Sequence, residues 1–253
     1  MTTARVDYGL DVPGVVRTLA TAGVLSLTAG GAHLRLPWLS RHCLALVATV
    51  AGLGAGALCL SVAPFGVWLS RVAKLRERDR LLAGIPWRGD EMVLDVGCGR
   101  GLLLIGAAKR LTSGTAIGVD LWDRTLESGN RPAATWANAR AEGVADRIAV
   151  RDGDARCLPL NDRSCDVVVS SLMLHHLTDP RDRERAVREM ARVLKPGGHL
   201  AILDVVGHAG ADARVLAESG VERVRRAGPR ALLYCTVTGR RREITGVVGQ
   251  VIK

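Results

Sequence analysis

The chain has 253 residues, 48% of them hydrophobic but only 3% aromatic, with 29 glycines and a formal net charge of +10; that length suits one large α/β domain, or one domain with an appendage. Its six cysteines form no CxxC pair and have no histidine at metal-ligand spacing, so a disulfide framework and a structural metal site are not expected. The charge is uneven, with eight Lys/Arg against two acids in residues 221–253 and a second basic group beside an apolar N-terminus. That placement favours an anionic membrane surface as partner, and no nucleic acid is expected.

Two apolar stretches come first. From Cys43 to Ser70 there is no charged residue, which supplies the roughly 20 apolar residues a helix needs to cross a bilayer, even if Pro64 kinks it. The earlier stretch, Val15 to Leu36, is weaker and contains Arg17. Together they predict a transmembrane helical hairpin with spans at about 15–36 and 43–69, joined by a link containing Pro37 and Trp38. Arg71, Lys74, Arg76, Arg78 and Arg80 follow it, against Arg35 and Arg41 in the link. The positive-inside rule then places the large domain on the cytoplasmic side of the membrane. A signal peptide, an interfacial helix and a hairpin buried against the domain are the competing readings. The domain boundaries are therefore 1–79 for the hairpin and its basic flank, and 80–253 for the rest.

Beyond Glu91, strand-like runs alternate with helical ones. Strands are expected at 92–97, 115–120, 147–153, 165–172 and 199–206, and helices at 102–111, 133–142, 182–194 and 211–219. Near-continuous Val/Ile/Leu runs suit strands covered on both faces, so the fold class is α/β, a doubly wound, mostly parallel sheet. Two final runs, 221–228 and 231–239, predict an antiparallel hairpin at the sheet edge, giving seven strands.

The richest motif is Val93-Leu-Asp-Val-Gly-Cys-Gly-Arg-Gly-Leu-Leu103, a buried strand entering a glycine turn and then a helix. Glycines there allow a sharp turn and close ligand approach. The dinucleotide spacing G-x-G-x-x-G would need a glycine at 102, where Leu102 stands, which disfavours a nicotinamide oxidoreductase. The pattern Asp95-x-Gly97-Cys98-Gly99-x-Gly101 resembles the first motif of class I methyltransferases that use S-adenosylmethionine (SAM). Four further features agree in order: Asp120 ending the second strand, Asp154 after the third, the fourth strand CDVVVSSLMLHHL, and RVLKPGGHL before the fifth. The hairpin and residues 128–148 also resemble a bacterial membrane-attached subgroup.

The resemblance implies SAM as cofactor and assigns roles by position. Asp95 organises the amino acid end, with the Gly97–Gly101 turn, Cys98 included, lying close to the ligand. Asp120 takes the ribose hydroxyls, Leu121 and Trp122 flank the adenine, and Asp154 and Ala155 meet its edge. Ser170 or Ser171 faces the sulfonium. Methyl transfer is an in-line displacement at an already activated carbon, so alignment carries much of the rate and a base is needed only if the acceptor must lose a proton. His175 and His176, just past the fourth strand, are the candidates for that base. Asp179 beside Pro180 reads as a helix cap. The acceptor suggested by a membrane location is a small molecule such as a lipid or quinone. The alternatives are a protein or nucleic acid methyltransferase docking through the Arg-rich C-terminal segment, and a SAM-binding membrane scaffold without turnover.

Overall fold

Runs of Val, Ile, Leu and Ala between glycine turns build one sheet, and alternate residues of each run enter opposite layers. The computed structural model describes residues 6–9, 13–34, 43–123, 129–205, 208–230 and 234–241. Its strands are β1 (Met92–Val96), β2 (Thr115–Asp120), β3 (Ile148–Asp152), β4 (Cys165–Ser171), β5 (Leu194–Val205), β6 (Val221–Arg230) and β7 (Tyr234–Arg241). They lie in the order β3-β2-β1-β4-β5-β7-β6. The first five are parallel, and β7 enters antiparallel between β5 and β6. The expected terminal hairpin is present, with its second strand on the inside. Between β1 and β4 the winding reverses, and in such sheets the crevice at that switch point, past the carboxyl ends of the strands, is where ligands bind.

Val93, Val167 and Leu203 point into one apolar layer with Leu82, Leu103 and Ile105, while Leu94, Val168 and Ile202 point into the other with Val187, Met190 and Leu216. This alternation follows from the two-residue period of a strand. The helices between strands are α4 (Leu102–Ala108), α5 (Pro132–Ala141), α6 (Pro180–Val193) and α7 (Ala209–Glu218). Asp179 caps α6, its side chain accepting from the Arg181 N–H at 2.8 Å, with Pro180 at the first helical position. β5 begins earlier than its apolar run. Pairing passes from Cys165 with Leu194 to Val167 with His199, so Lys195–Gly198 form an irregularity inside the strand rather than a separate turn.

A second compact unit comprises Gly9–Lys74, while Met1–Tyr8 groups with Leu75–Lys253. In it, α1 (Pro13–Leu34) packs along α2 (Cys43–Trp68). Small residues make that contact close: a Cβ on Gly56 would lie 3.0 Å from the Gly23 carbonyl oxygen. Val47, Val50 and Leu58 of α2 and Leu25 of α1 stay exposed. The helix continues through a π-helical stretch, Leu69–Ala73, into α3 (Lys74–Ala83). By length and composition, one helix among the described residues, Leu46–Ala83, suffices to cross a membrane. Two spans were expected; α1 does not meet this measure, and it carries an exposed Arg17. The link residues Arg35, Pro37, Trp38 and Arg41 lie outside the described residues.

Candidate active site

β1 delivers the glycine turn to the switch point. Gly97, Gly99 and Gly101 have φ of 71°, 47° and 88°, the left-handed region that side-chain-bearing residues enter at a cost. The turn is pinned by the Gly97 N–H donating to the Val119 carbonyl at 2.8 Å and the Gly101 N–H to the Cys98 carbonyl at 2.7 Å. A Cβ on Gly97 would lie 2.5 Å from Met173 Cβ. Gly97 is thus required by its dihedrals and by the loop after β4. From α5, the Thr135 hydroxyl donates to the Gly99 carbonyl at 2.6 Å and Asn138 Nδ2 to the Arg100 carbonyl at 2.9 Å. Asn138 also holds Asp7, accepting from its N–H and donating to its carbonyl, both at 2.9 Å, while Arg100 pairs with the Asp7 carboxylate at 2.8 Å. Asp7 therefore braces the turn, a role the sequence does not advertise.

Asp95 is buried, 1% exposed. Its Oδ2 accepts from the Leu104 N–H at 2.7 Å, but Oδ1 has no partner. Burial, with a smaller contribution from the charge of Asp120, pushes its carboxyl up to about 7. An orphaned, buried carboxylate oxygen beside the turn suits a positively charged ligand group. Asp120 is organised by three donors: the Gly99 N–H on Oδ2 at 2.8 Å, and the Trp122 N–H and Asn130 Nδ2 on Oδ1 at 2.7 and 3.0 Å. Oδ2 keeps an acceptor site for a hydroxyl. Leu121 is 59% exposed, an apolar surface beside it.

The other expected residues divide. Trp122 takes φ of 58°, and its indole N–H donates to Asp152 at 2.7 Å, so its ring edge is already engaged. Asp154 is held by Arg156, whose Nη2 lies 2.6 Å from Oδ2 and whose Nη1 reaches Asp182 at 2.6 Å. These hydrogen bonds hold the Asp154 carboxyl below the usual range. Ala155 follows it, half-buried. Cys98 is buried with its sulfur toward Gly118, leaving only its backbone at the turn. Ser170 is buried and its hydroxyl donates to the Val96 carbonyl at 2.8 Å, tying β4 to β1, whereas the buried hydroxyl of Ser171 has no partner.

His175 and His176 sit on a single 3-10 turn after β4, Leu174–His176, with ring centroids 4.0 Å apart. Burial and, less strongly, the neighbouring His175 push the His176 pKa below its ordinary value. His175 Nδ1 lies 2.8 Å from Asp204 Oδ1 at the end of β5. Arg183 of α6 reaches Asp204 Oδ2 at 3.1 Å and grips Asp212 of α7 through Nε and Nη2 at 2.8 and 2.7 Å. Sequence reading missed Asp204, Arg183 and Asp212, which lie on three separate elements. Among the described residues no His/Cys/Asp/Glu group could hold a metal ion. A cavity of about 410 Å³, lined by Arg88, Glu91, Asp166 and His199, lies at the opposite, amino ends of β1, β4 and β5.

Residues 94–202 match the profile of the methyltransferase-domain family. Over 171 residues the chain is 34% identical to a 27-O-demethylrifamycin SV methyltransferase of Amycolatopsis mediterranei, covering 64% of this chain and 57% of that protein. It is 30% identical over 128 residues to a demethylmenaquinone methyltransferase of Lactobacillus johnsonii, covering 50% and 49%. The chain spans about half the length of the curated relatives it matches. In fold it is similar to a SAM-dependent methyltransferase from Aquifex aeolicus (TM-score 0.54, 21% identity, 66% of this chain and 90% of that one). It is also similar to the cyclase SpnF (TM-score 0.56, 19% identity, 69% and 83%). Residues 94–202 thus match a methyltransferase-domain profile and carry the Rossmann-like fold that SAM-dependent methyltransferases share.

Asp95 and SAM should then be linked through protons. SAM brings positive charge, which favours the ionised carboxyl. Below about pH 7, where the free protein holds Asp95 protonated, binding should release a proton, and affinity should climb with pH and level off above 7. Titration calorimetry at pH 6 in two buffers of different ionisation enthalpy checks this. Equal apparent enthalpies, corrected for the ligand's own ionisation, would remove Asp95 from the linkage.

Proposed function

We propose that a chain carrying a SAM-dependent methyltransferase domain with a buried, unpartnered Asp95 oxygen at its glycine turn transfers the methyl group of SAM to a membrane-partitioned small molecule. Asp95 would hold the amino acid end, Asp120 the ribose hydroxyls and Leu121 a face of the adenine, while SAM supplies a methyl group already activated by positive sulfur. The chain's own work is to align the acceptor and exclude water.

The acceptor class rests on two supports. One is the apolar hairpin unit, whose exposed Val47, Val50 and Leu58 suit lipid; we read it as a membrane anchor that keeps the catalytic domain at the cytoplasmic face. The other is the pair of relatives named for a rifamycin and a menaquinone precursor, both small molecules. Arg225 and Arg226, exposed on the sheet's edge strand β6, suit anionic headgroups, each contributing about 1 kcal/mol near such a surface.

The test has two arms. Full-length protein in detergent should bind SAM and its demethylated product but not NADH, and should transfer labelled methyl to the lipid-soluble fraction of a membrane extract. Reporters fused after Lys253 and within residues 35–41 should report opposite compartments. Label appearing only in protein or nucleic acid would reject the small-molecule acceptor; both reporters in one compartment would reject the two-span anchor.

A further inference from the structure

A short strap, residues 6–8, lies against the glycine turn, with Asp7 93 positions from Arg100 in the chain. We infer that Asp7 is a positioning residue: its segment docks on Asn138 and Arg100 and holds the turn in the shape that takes SAM, so that strap docking and cofactor binding reinforce one another. The inference rests on the SAM-binding reading and adds a control on the affinity of that site.

The recognition is largely of backbone. The Asp7 N–H donates to Asn138 Oδ1 and the Asp7 carbonyl accepts from Nδ2, both at 2.9 Å, so one amide reads the donor and the acceptor of one residue. Nδ2 directs its second hydrogen to the Arg100 carbonyl, also at 2.9 Å. Asn138 is 4% exposed, so the strap completes the bonding of a buried side chain. Beside it, the Arg100 guanidinium lies 2.8 Å from the Asp7 carboxylate. Tyr8 is a second fastening. It packs against the apolar layer that contains Leu82 and Leu103, its hydroxyl donates to Glu142 at 3.3 Å, and the Arg78 guanidinium of α3 lies 5.9 Å from its ring centre.

The strap controls one peptide plane. The Arg100 carbonyl and the Gly101 N–H belong to the same rigid unit, and Gly101, at φ 88°, caps the start of α4. Asn138 fixes that plane, while Thr135 fixes the Gly99 carbonyl one plane earlier. With the strap undocked, Asn138 keeps one of its three hydrogen bonds and opens to water, and Arg100 loses the Asp7 carboxylate. The turn then samples shapes that do not take SAM, and apparent affinity falls with the fraction that does. The effect is reciprocal: a ligand that prefers the braced turn tightens the strap by the same factor. These contacts run to Arg100 and α5 rather than to Asp95 or Asp120, so the strap acts through the turn.

Full-length protein in detergent micelles, titrated with the demethylated product of SAM, tests both directions. In the parent, the product should slow hydrogen exchange at the Asp7 N–H by at least about fivefold, levelling off once the site is full. Asp7→Ala combined with Tyr8→Ala removes the ion pair and the apolar fastening and leaves α5 and the turn unaltered in sequence. Its affinity for the product should fall by the same factor, with circular dichroism and cooperative unfolding as the fold control. Asp7→Asn, which still offers Arg100 an acceptor, should fall between the two. Agreement of the two factors distinguishes coupling from a general loosening, which lowers affinity without any ligand effect on the strap. Unchanged exchange at Asp7, slowing that keeps climbing with product concentration (the mark of global unfolding), or parental affinity in the folded double variant would overturn the strap. No binding of product by the parent would instead overturn the SAM-binding reading.

Discussion

Asp120→Ala is expected to weaken SAM binding by about 1.5–3 kcal/mol, roughly ten- to 150-fold, the range for hydrogen bonds to a charged group. Two losses combine. On the proposed reading the ribose hydroxyls would lose their acceptor, and the Gly99 N–H, which donates to Asp120 Oδ2, loses the bond that holds the turn. Asp120→Asn removes the charge and keeps one oxygen. With that oxygen toward the Gly99 N–H, the new NH₂ takes the place of the oxygen that accepts from the Trp122 N–H and Asn130; Asn130 can rotate to accept, but the Trp122 N–H loses its acceptor. That variant should therefore lose some stability as well as affinity while keeping the bond that holds the turn. Calorimetric titration with thermal unfolding as the fold control decides the matter. A folded Asp120→Ala protein with parental affinity would end the ribose assignment.

The place of Asp120 in the fold was legible because it is local: a carboxylate ending a buried strand, 21 residues from the glycine whose N–H it accepts. The same holds for Asp95 and the glycine turn, and for the five parallel strands, whose doubly buried character is written in continuous apolar runs. Element ends were less legible. β5 starts at Leu194 rather than 199 because a register slip against β4 absorbs Lys195–Gly198, and nothing in Lys-Pro-Gly-Gly distinguishes a bulge from a turn.

The remainder was hidden by sequence separation. Asp7 meets Asn138 across 131 positions, and His175 meets Asp204 across 29. Arg183 was concealed by its neighbours: in Arg181-Asp-Arg-Glu-Arg185 it reads as one more solvated charge, yet it is 5% exposed. Asp154 shows a partner that the sequence did not announce. Its position suits adenine, but Arg156, two residues on, occupies its oxygens, and a local motif does not record where a nearby guanidinium turns.

Arg183→Leu is expected to cost about 3–5 kcal/mol of stability, the range found when one partner of a buried ion pair is removed. The reason is what remains. Asp204 and Asp212, each 2% exposed, would keep their carboxylates in the interior without the cation that joins them. Leucine fills part of the volume but cannot hydrogen-bond to either oxygen pair. Arg183→Lys should recover only part of the loss, since a single ammonium cannot reproduce the paired Nε and Nη2 contacts to Asp212. Adding Asp212→Asn to Arg183→Leu removes one of the two carboxylate charges, so the double variant should be more stable than the two single costs predict. Denaturant unfolding at pH 7, for the parent, both single variants and the double, gives the coupling directly. A cost below about 1 kcal/mol for Arg183→Leu, with additive effects in the double variant, would mean that water reaches the cluster.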